Sequence, residues 1–168
     1  MRTARSGRPA LHLVTPLEHE PPAPLVAFCS HCGSQPVSPL AAGSSSRVCT
    51  SCGLGLILES RADVAPSSGD AFLVLDRSLA VCAVSEAAER LLAASEPDVV
   101  NRHVSDLLMS ADAEESDGGS LSAAVTWAAR SDGGMRTVTV RPANTFGIRL
   151  TARIASCGPP RAALLVME

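Results

Sequence analysis

A chain of 168 residues with a formal net charge of −3 and 46% hydrophobic residues has room for one compact domain and a smaller module, and lacks the basic excess that nucleic-acid binders show. Lysine and tyrosine are missing and aromatic residues make up only 2% of the chain, so stacking platforms are scarce. No apolar run reaches the length of about eighteen residues that a membrane span needs, and Met1 to Thr15 has no signal-peptide core, which points to a cytoplasmic protein.

Residues 1–26 carry Pro9, Pro16, Pro21, Pro22 and Pro24 and read as a disordered tail. Two hooks follow, Cys29-Ser30-His31-Cys32 and Cys49-Thr50-Ser51-Cys52, sixteen residues apart and each trailed by a glycine, Gly33 and Gly53. Two Cys-x-x-Cys hooks at this separation supply four thiolates to one tetrahedral ion without strain, and glycine permits the left-handed turn beside each hook. Residues 27–60 are too short to bury a core of their own, so a metal would hold them folded. Four filled positions make that metal structural, with zinc held by Cys29, Cys32, Cys49 and Cys52 as the expected species; His31 lies inside the first hook and points elsewhere. Rubredoxin-like iron and a redox or disulfide role are the alternatives. The stretch resembles a zinc ribbon, a small metal-stapled β-hairpin module. Residues 1–61 hold five arginines against three acids, yet the module itself has just Arg47 and Arg61 as cations and Phe28 as its aromatic, which disfavours direct contact with nucleic acid.

A linker at 61–69 ends in Pro66-Ser67-Ser68-Gly69, and residues 70–168 are enough for one domain. Ala71–Leu75 and Leu79–Val84 flank an Asp76 turn and read as a β-hairpin. Ser85 is placed to cap a helix running to about Ala94, an irregular helical stretch spans Val99 to Leu108 with Asn101 suited to a left-handed turn, and an acidic loop at 112–120 leads into a helix at Leu121–Arg130. Alternation predicts strands over 137–141 and 146–154; the run Ala162–Met167 is apolar throughout and forms the last strand.

This order of elements resembles a PAS domain, as do Asp76, the segment Ala87-Ala88-Glu89-Arg90-Leu91-Leu92, and Asn101-Arg102 followed by Asp106-Leu107-Leu108. Ser85 and Asn101 depart from the asparagine and glycine often found at those positions. The resemblance implies an α+β fold: a five-stranded antiparallel sheet with helices on one face and the first strand central, flanked by the second and the last. The first, second and fifth strands would then be apolar on both faces, whereas Thr137, Thr139, Arg141, Arg149, Thr151 and Arg153 keep the rest of the outer face polar. The apolar half calls for a cover, expected from a second copy, the zinc module folded back in cis, or a partner protein; an ordinary alanine-softened surface is the plain alternative.

The relatives that bind haem use a histidine on the long helix and the flavin photosensors a reactive cysteine; neither has a counterpart here, so no PAS ligand is identified. His103 reads as a surface or capping residue, Cys82 as core, Cys157 as partly exposed beside a turn, and Trp127 as core. Asp112, Glu114, Glu115 and Asp117 lack the burial that acid–base catalysis uses, so an enzyme is not expected. The resulting expectation is a signalling or regulatory protein acting through a protein partner or as a homodimer, with a nucleic-acid-binding transcription regulator as the alternative. The two modules are expected to fold separately, so that Cys49→Ser unfolds the ribbon and leaves residues 70–168 intact.

Overall fold

The computed structural model describes residues 23–36, 46–111, 120–131 and 133–168. Most of the expected proline-bearing tail, and the acidic loop at 112–119, lie outside them. Twelve elements follow in order. They are β1 (Leu25–Cys29), β2 (Ile57–Arg61), β3 (Ala71–Leu75), β4 (Val81–Val84), α1 (Glu86–Leu92), α2 (Glu96–Val99), a 3-10 turn (Val104–Asp106), β5 (Leu108–Ser110), α3 (Leu121–Arg130), β6 (Arg136–Pro142), β7 (Leu150–Gly158) and β8 (Ala162–Met167).

The β3–β4 hairpin is closed by Asp76, whose Oδ1 accepts from the Ser78 amide at 2.8 Å, the Ser78 hydroxyl at 2.7 Å and the Ala80 amide at 3.0 Å. Burial opposes ionisation of this carboxyl, but those hydrogen bonds prevail and hold its pKa below the ordinary value. Ser85 then does three things at once. Its Oγ accepts from Phe72 N (2.9 Å) and from Ala88 N (3.2 Å), and donates to the Asp70 carbonyl (2.9 Å). It therefore caps α1 and ties that helix to the start of β3. Because Ser85 is 2% exposed, Ser85→Ala leaves buried groups unpaired and is expected to cost about 2 kcal/mol in urea unfolding. A loss close to zero would contradict this role.

Asn101 takes the left-handed conformation expected of it, φ 69°, and so, unexpectedly, do Leu79 and Ala93. The helical stretch expected up to Leu108 ends earlier. Leu108 instead opens β5, which pairs with β6 through Leu108↔Pro142, Met109↔Arg141 and Ser110↔Val140. The strand expected over 146–154 runs over Leu150–Gly158, since Gly147 at φ 82° turns the chain and Phe146 is 90% exposed.

The strands form one antiparallel sheet along the path β1-β2-β7-β8-β3-β4, with β6 paired to β7 and to β5. β3 is flanked by β4 and β8, the arrangement that the PAS resemblance implies. The five-stranded expectation is corrected to eight strands. β5 adds one at the β6 edge, and the hairpin of the cysteine module adds two by joining β7 through Glu59↔Gly158 and Ser60↔Cys157. β8 runs along the other edge of β7, so β6 and β2 share one edge end to end, β6 on Leu150–Ile154 and β2 on the last two residues.

Alternation sorts the core into two layers. On the inner face Leu73, Leu75, Ile154 and Leu165 pack with α1 and α3 residues such as Ala88, Val125 and Ala128. On the outer face Phe72, Val74, Ala155, Leu164 and Val166 pack under Phe28, Leu58 and Val64. The β3 and β8 part of the apolar outer face is thus covered in cis by the chain's own N-terminal module, the second of the three expected covers, together with Val64 of the linker, while Cys82 on β4 stays exposed. The expected polar positions Thr137 and Thr151 are exposed, but Arg153 is drawn inward to the Asp63 carbonyl and to Glu168.

Candidate metal centre

β1 delivers Cys29 to the first hook and β2 leads away from the second, so the hairpin pairing that sets Cys29 opposite Ile57 also sets the two hooks face to face. Each hook closes in the same way. Gly33 N donates to Cys29 O at 3.1 Å and Gly53 N to Cys49 O at 2.9 Å, with φ of 70° and 71° at the two glycines, as their positions in the sequence imply. Leu56 N donates to Ser30 Oγ at 3.0 Å, a further stitch between the hooks.

The four sulfurs of Cys29, Cys32, Cys49 and Cys52 converge, all within 4.8 Å of one another. Across the hooks, Cys29 and Cys52 are 3.6 Å apart and Cys32 and Cys49 4.0 Å. A tetrahedron with metal–sulfur bonds of about 2.3 Å has edges of about 3.8 Å, so the donor set fits a tetrahedral thiophilic ion. Separations this long exclude sulfur–sulfur bonds of about 2.05 Å, and all four are free cysteines.

Backbone N–H groups point at the sulfurs, from His31 (3.4 Å) and Cys32 (3.5 Å) to Cys29 and from Gly55 (3.5 Å) to Cys52. The Ser34 hydroxyl lies 3.2 Å from Cys32 Sγ and 3.4 Å from Cys49 Sγ. Burial pushes the Cys29 thiol up to about 12. Burial also opposes ionisation of Cys49, but the Ser34 hydroxyl and the Cys52 and Ser51 amides outweigh it and bring that thiol down to about 6. For Cys52 the Gly55 amide leads, and the direction is again downward. Metal binding would draw all four to the thiolate form, since a bound cation is the largest local charge in such a site.

Ser34 and Gly55 are the two contributors that the sequence did not single out. A Cβ on Gly55 would run into Cys29 Sγ and the backbone of His31. Gly55→Ala is therefore expected to weaken metal affinity about 10-fold to 100-fold, the range for groups that orient ligands, in a competition titration with a chromogenic chelator. Unchanged affinity would show that the hooks have slack.

The module is fastened to the sheet at several points beside the four cysteines. Phe28, the neighbour of Cys29, meets Phe72 edge to face with centroids 6.0 Å apart. Gln35 Nε2 donates to Pro66 O at 2.8 Å and Ser60 Oγ to Ser156 O at 3.0 Å. Arg47 reaches both Ile57 O and Pro159 O.

The remaining candidates fall as follows. His103 caps the 3-10 turn, its Nδ1 accepting from Ser105 N at 3.3 Å, which agrees with the capping reading. The two other cysteines exchange their expected places. Cys82 is exposed because Val81 and Val84 both turn inward across a register shift in β3–β4, and Cys157 is buried because the module covers it. Burial raises the Cys157 thiol to about 12. Trp127 packs against the inner core, with Arg136 stacked 4.1 Å from its ring centre. Among the described residues no helix is long and apolar enough to cross a membrane.

No protein-family model and no curated protein matches the chain. Among solved structures it is similar to the PAS domain of nitrogen regulation protein NR(II) from Vibrio parahaemolyticus, at 23% identity over 59% of this chain and 86% of that one, with a TM-score of 0.41.

Proposed function

We propose that the protein is a cytoplasmic signalling or regulatory protein in which a structural zinc ribbon, residues 27–60, is joined to a PAS-like sensing and interaction domain, residues 70–168, and that it works through protein partners without catalysis. The observation that carries this reading is the convergence of four sulfurs at tetrahedral spacing within a hairpin that prolongs the PAS-like sheet. Zinc bound there would supply a cross-link in place of a core. Among the described residues the module's own buried cluster is Ala27, Cys29, Cys49 and Ile57, half of it the proposed metal ligands.

Three titratable groups outside the cluster have structural partners. Asp76 closes a turn, Asp63 pairs with Arg61 at 2.6 Å and His103 caps a 3-10 turn. The nucleic-acid alternative loses support, because both arginines of the module are engaged, Arg47 with carbonyls and Arg61 with Asp63. A native mass spectrum of the purified protein, with a DNA titration at low salt beside it, tests the proposal. Stoichiometric zinc and no measurable DNA affinity are expected; strongly salt-dependent DNA binding would contradict it. The partner arm is tested by reciprocal purification of the tagged chain with a stoichiometric polypeptide. Turnover of a small-molecule substrate by the chain alone would overturn the non-catalytic reading.

A further inference from the structure

The cluster joins two properties that need not go together: its thiols are the chain's most concentrated oxidisable group, and they hold the cover over the sheet's outer face. Cys29 and Cys49 are buried at 0% and 1% exposure, whereas Cys32 and Cys52 are half-buried and reachable from solvent. Cys52 and Cys29, one of each kind, lie 3.6 Å apart across the two hooks, closer than Cys32 and Cys49 at 4.0 Å. Behind Cys29 stands Phe28, the aromatic that seals Phe72. The fastening of the module to β7 is short, two residue pairs, and depends on the hairpin keeping its shape.

We infer that Cys52 and Cys29 form an oxidation site at which a peroxide writes a disulfide, dismantles the metal centre and uncovers the outer face of the sheet. The inference rests on the four-thiolate zinc reading. In the first step the Cys52 thiolate attacks one oxygen of hydrogen peroxide; an S–O bond forms, the O–O bond breaks and hydroxide leaves to be protonated to water. In the second step Cys29 Sγ displaces the hydroxyl from the resulting sulfenic acid, giving the Cys29–Cys52 disulfide and a second water. Two electrons pass from the sulfurs to the peroxide. Two of four ligands are then lost, and the remaining pair, Cys32 and Cys49, does not complete a tetrahedral shell. Without the metal cross-link, the small cluster of Ala27, Cys29, Cys49 and Ile57 no longer holds the hooks together, and the module loses its fold. Phe72, Val74, Leu164 and Val166, at 0%, 3%, 0% and 0% exposure, then come into contact with water.

The full chain carrying Cys82→Ser tests this, since that change removes the exposed thiol outside the cluster without touching the fold's core. Hydrogen peroxide is titrated in while zinc release is followed with a chromogenic chelator, pairing by peptide mapping and apolar exposure with a naphthalene sulfonate dye. The expected result is stoichiometric zinc release together with a Cys29–Cys52 cross-link and a several-fold rise in dye fluorescence, all reversed by reductant plus zinc. Zinc retained under excess peroxide, a cross-link confined to one hook, or zinc release without a rise in dye fluorescence would each overturn the oxidation site while leaving the metal centre intact. Untreated protein without zinc would instead overturn the metal reading itself.

Discussion

Cys49→Ser is expected to lower the melting temperature of the whole chain by about 10 °C or more, not merely to unravel the ribbon. Loss of one cysteine would remove the proposed metal cross-link, and with it the cover to which Phe28 and Leu58 of the module contribute beside Val64. Each large apolar side chain returned to water forfeits about 1.5–3 kcal/mol, and at this chain length each kcal/mol lowers the midpoint by about 2–4 °C. The sole tryptophan offers a clean reporter. Trp127 sits on α3 against the inner core, across the sheet from the module, so its fluorescence follows the sheet and helices and not the cysteine hooks. A Trp127 transition that moves down with Cys49→Ser shows that the two parts share stability. A Trp127 transition at the wild-type temperature would restore the independence that their separation in sequence suggests.

The second large effect lies at the aromatic contact between the parts. Phe28 and Phe72 are both 0% exposed, so Phe28→Ala and Phe72→Ala are each expected to cost about 3–5 kcal/mol in denaturant unfolding. Their edge-to-face geometry adds a coupling of about 0.5–1.5 kcal/mol, so the double variant should be less damaged than the sum of the singles by that amount. Phe72→Ala touches no sulfur, yet it should also weaken zinc binding, because a module that docks less well is folded, and ligand-ready, for less of the time. Strict additivity, or zinc affinity indifferent to Phe72, would mean that the ring contact holds nothing in place.

What the sequence disclosed and what it hid divide along local and non-local lines. The converging sulfurs were legible because two short hooks with trailing glycines have few other uses, and Ser85, Asn101 and α3 because caps and left-handed turns are set by neighbouring residues. β5 was not, since three residues at the end of a helical stretch have no period to read. The start of β7 was misplaced because Phe146 and Ile148 alternate like a strand, while the left-handed Gly147 between them makes a turn. Cys82 and Cys157 were exchanged for distant reasons: a register shift across the hairpin turns one outward, and the module laid over β7 buries the other. Strand alternation showed that the outer face needed a cover. Which cover it received was decided by Phe28, Leu58 and Val64, apolar residues far upstream whose shared destination only the folded chain reveals.

X-ray absorption at the zinc edge, recorded on the purified full-length protein, addresses the metal staple most directly. The account predicts one shell of four sulfurs at about 2.3 Å and nothing lighter. A shell containing nitrogen or oxygen, or protein that folds to the same stability with no zinc at all, would contradict it.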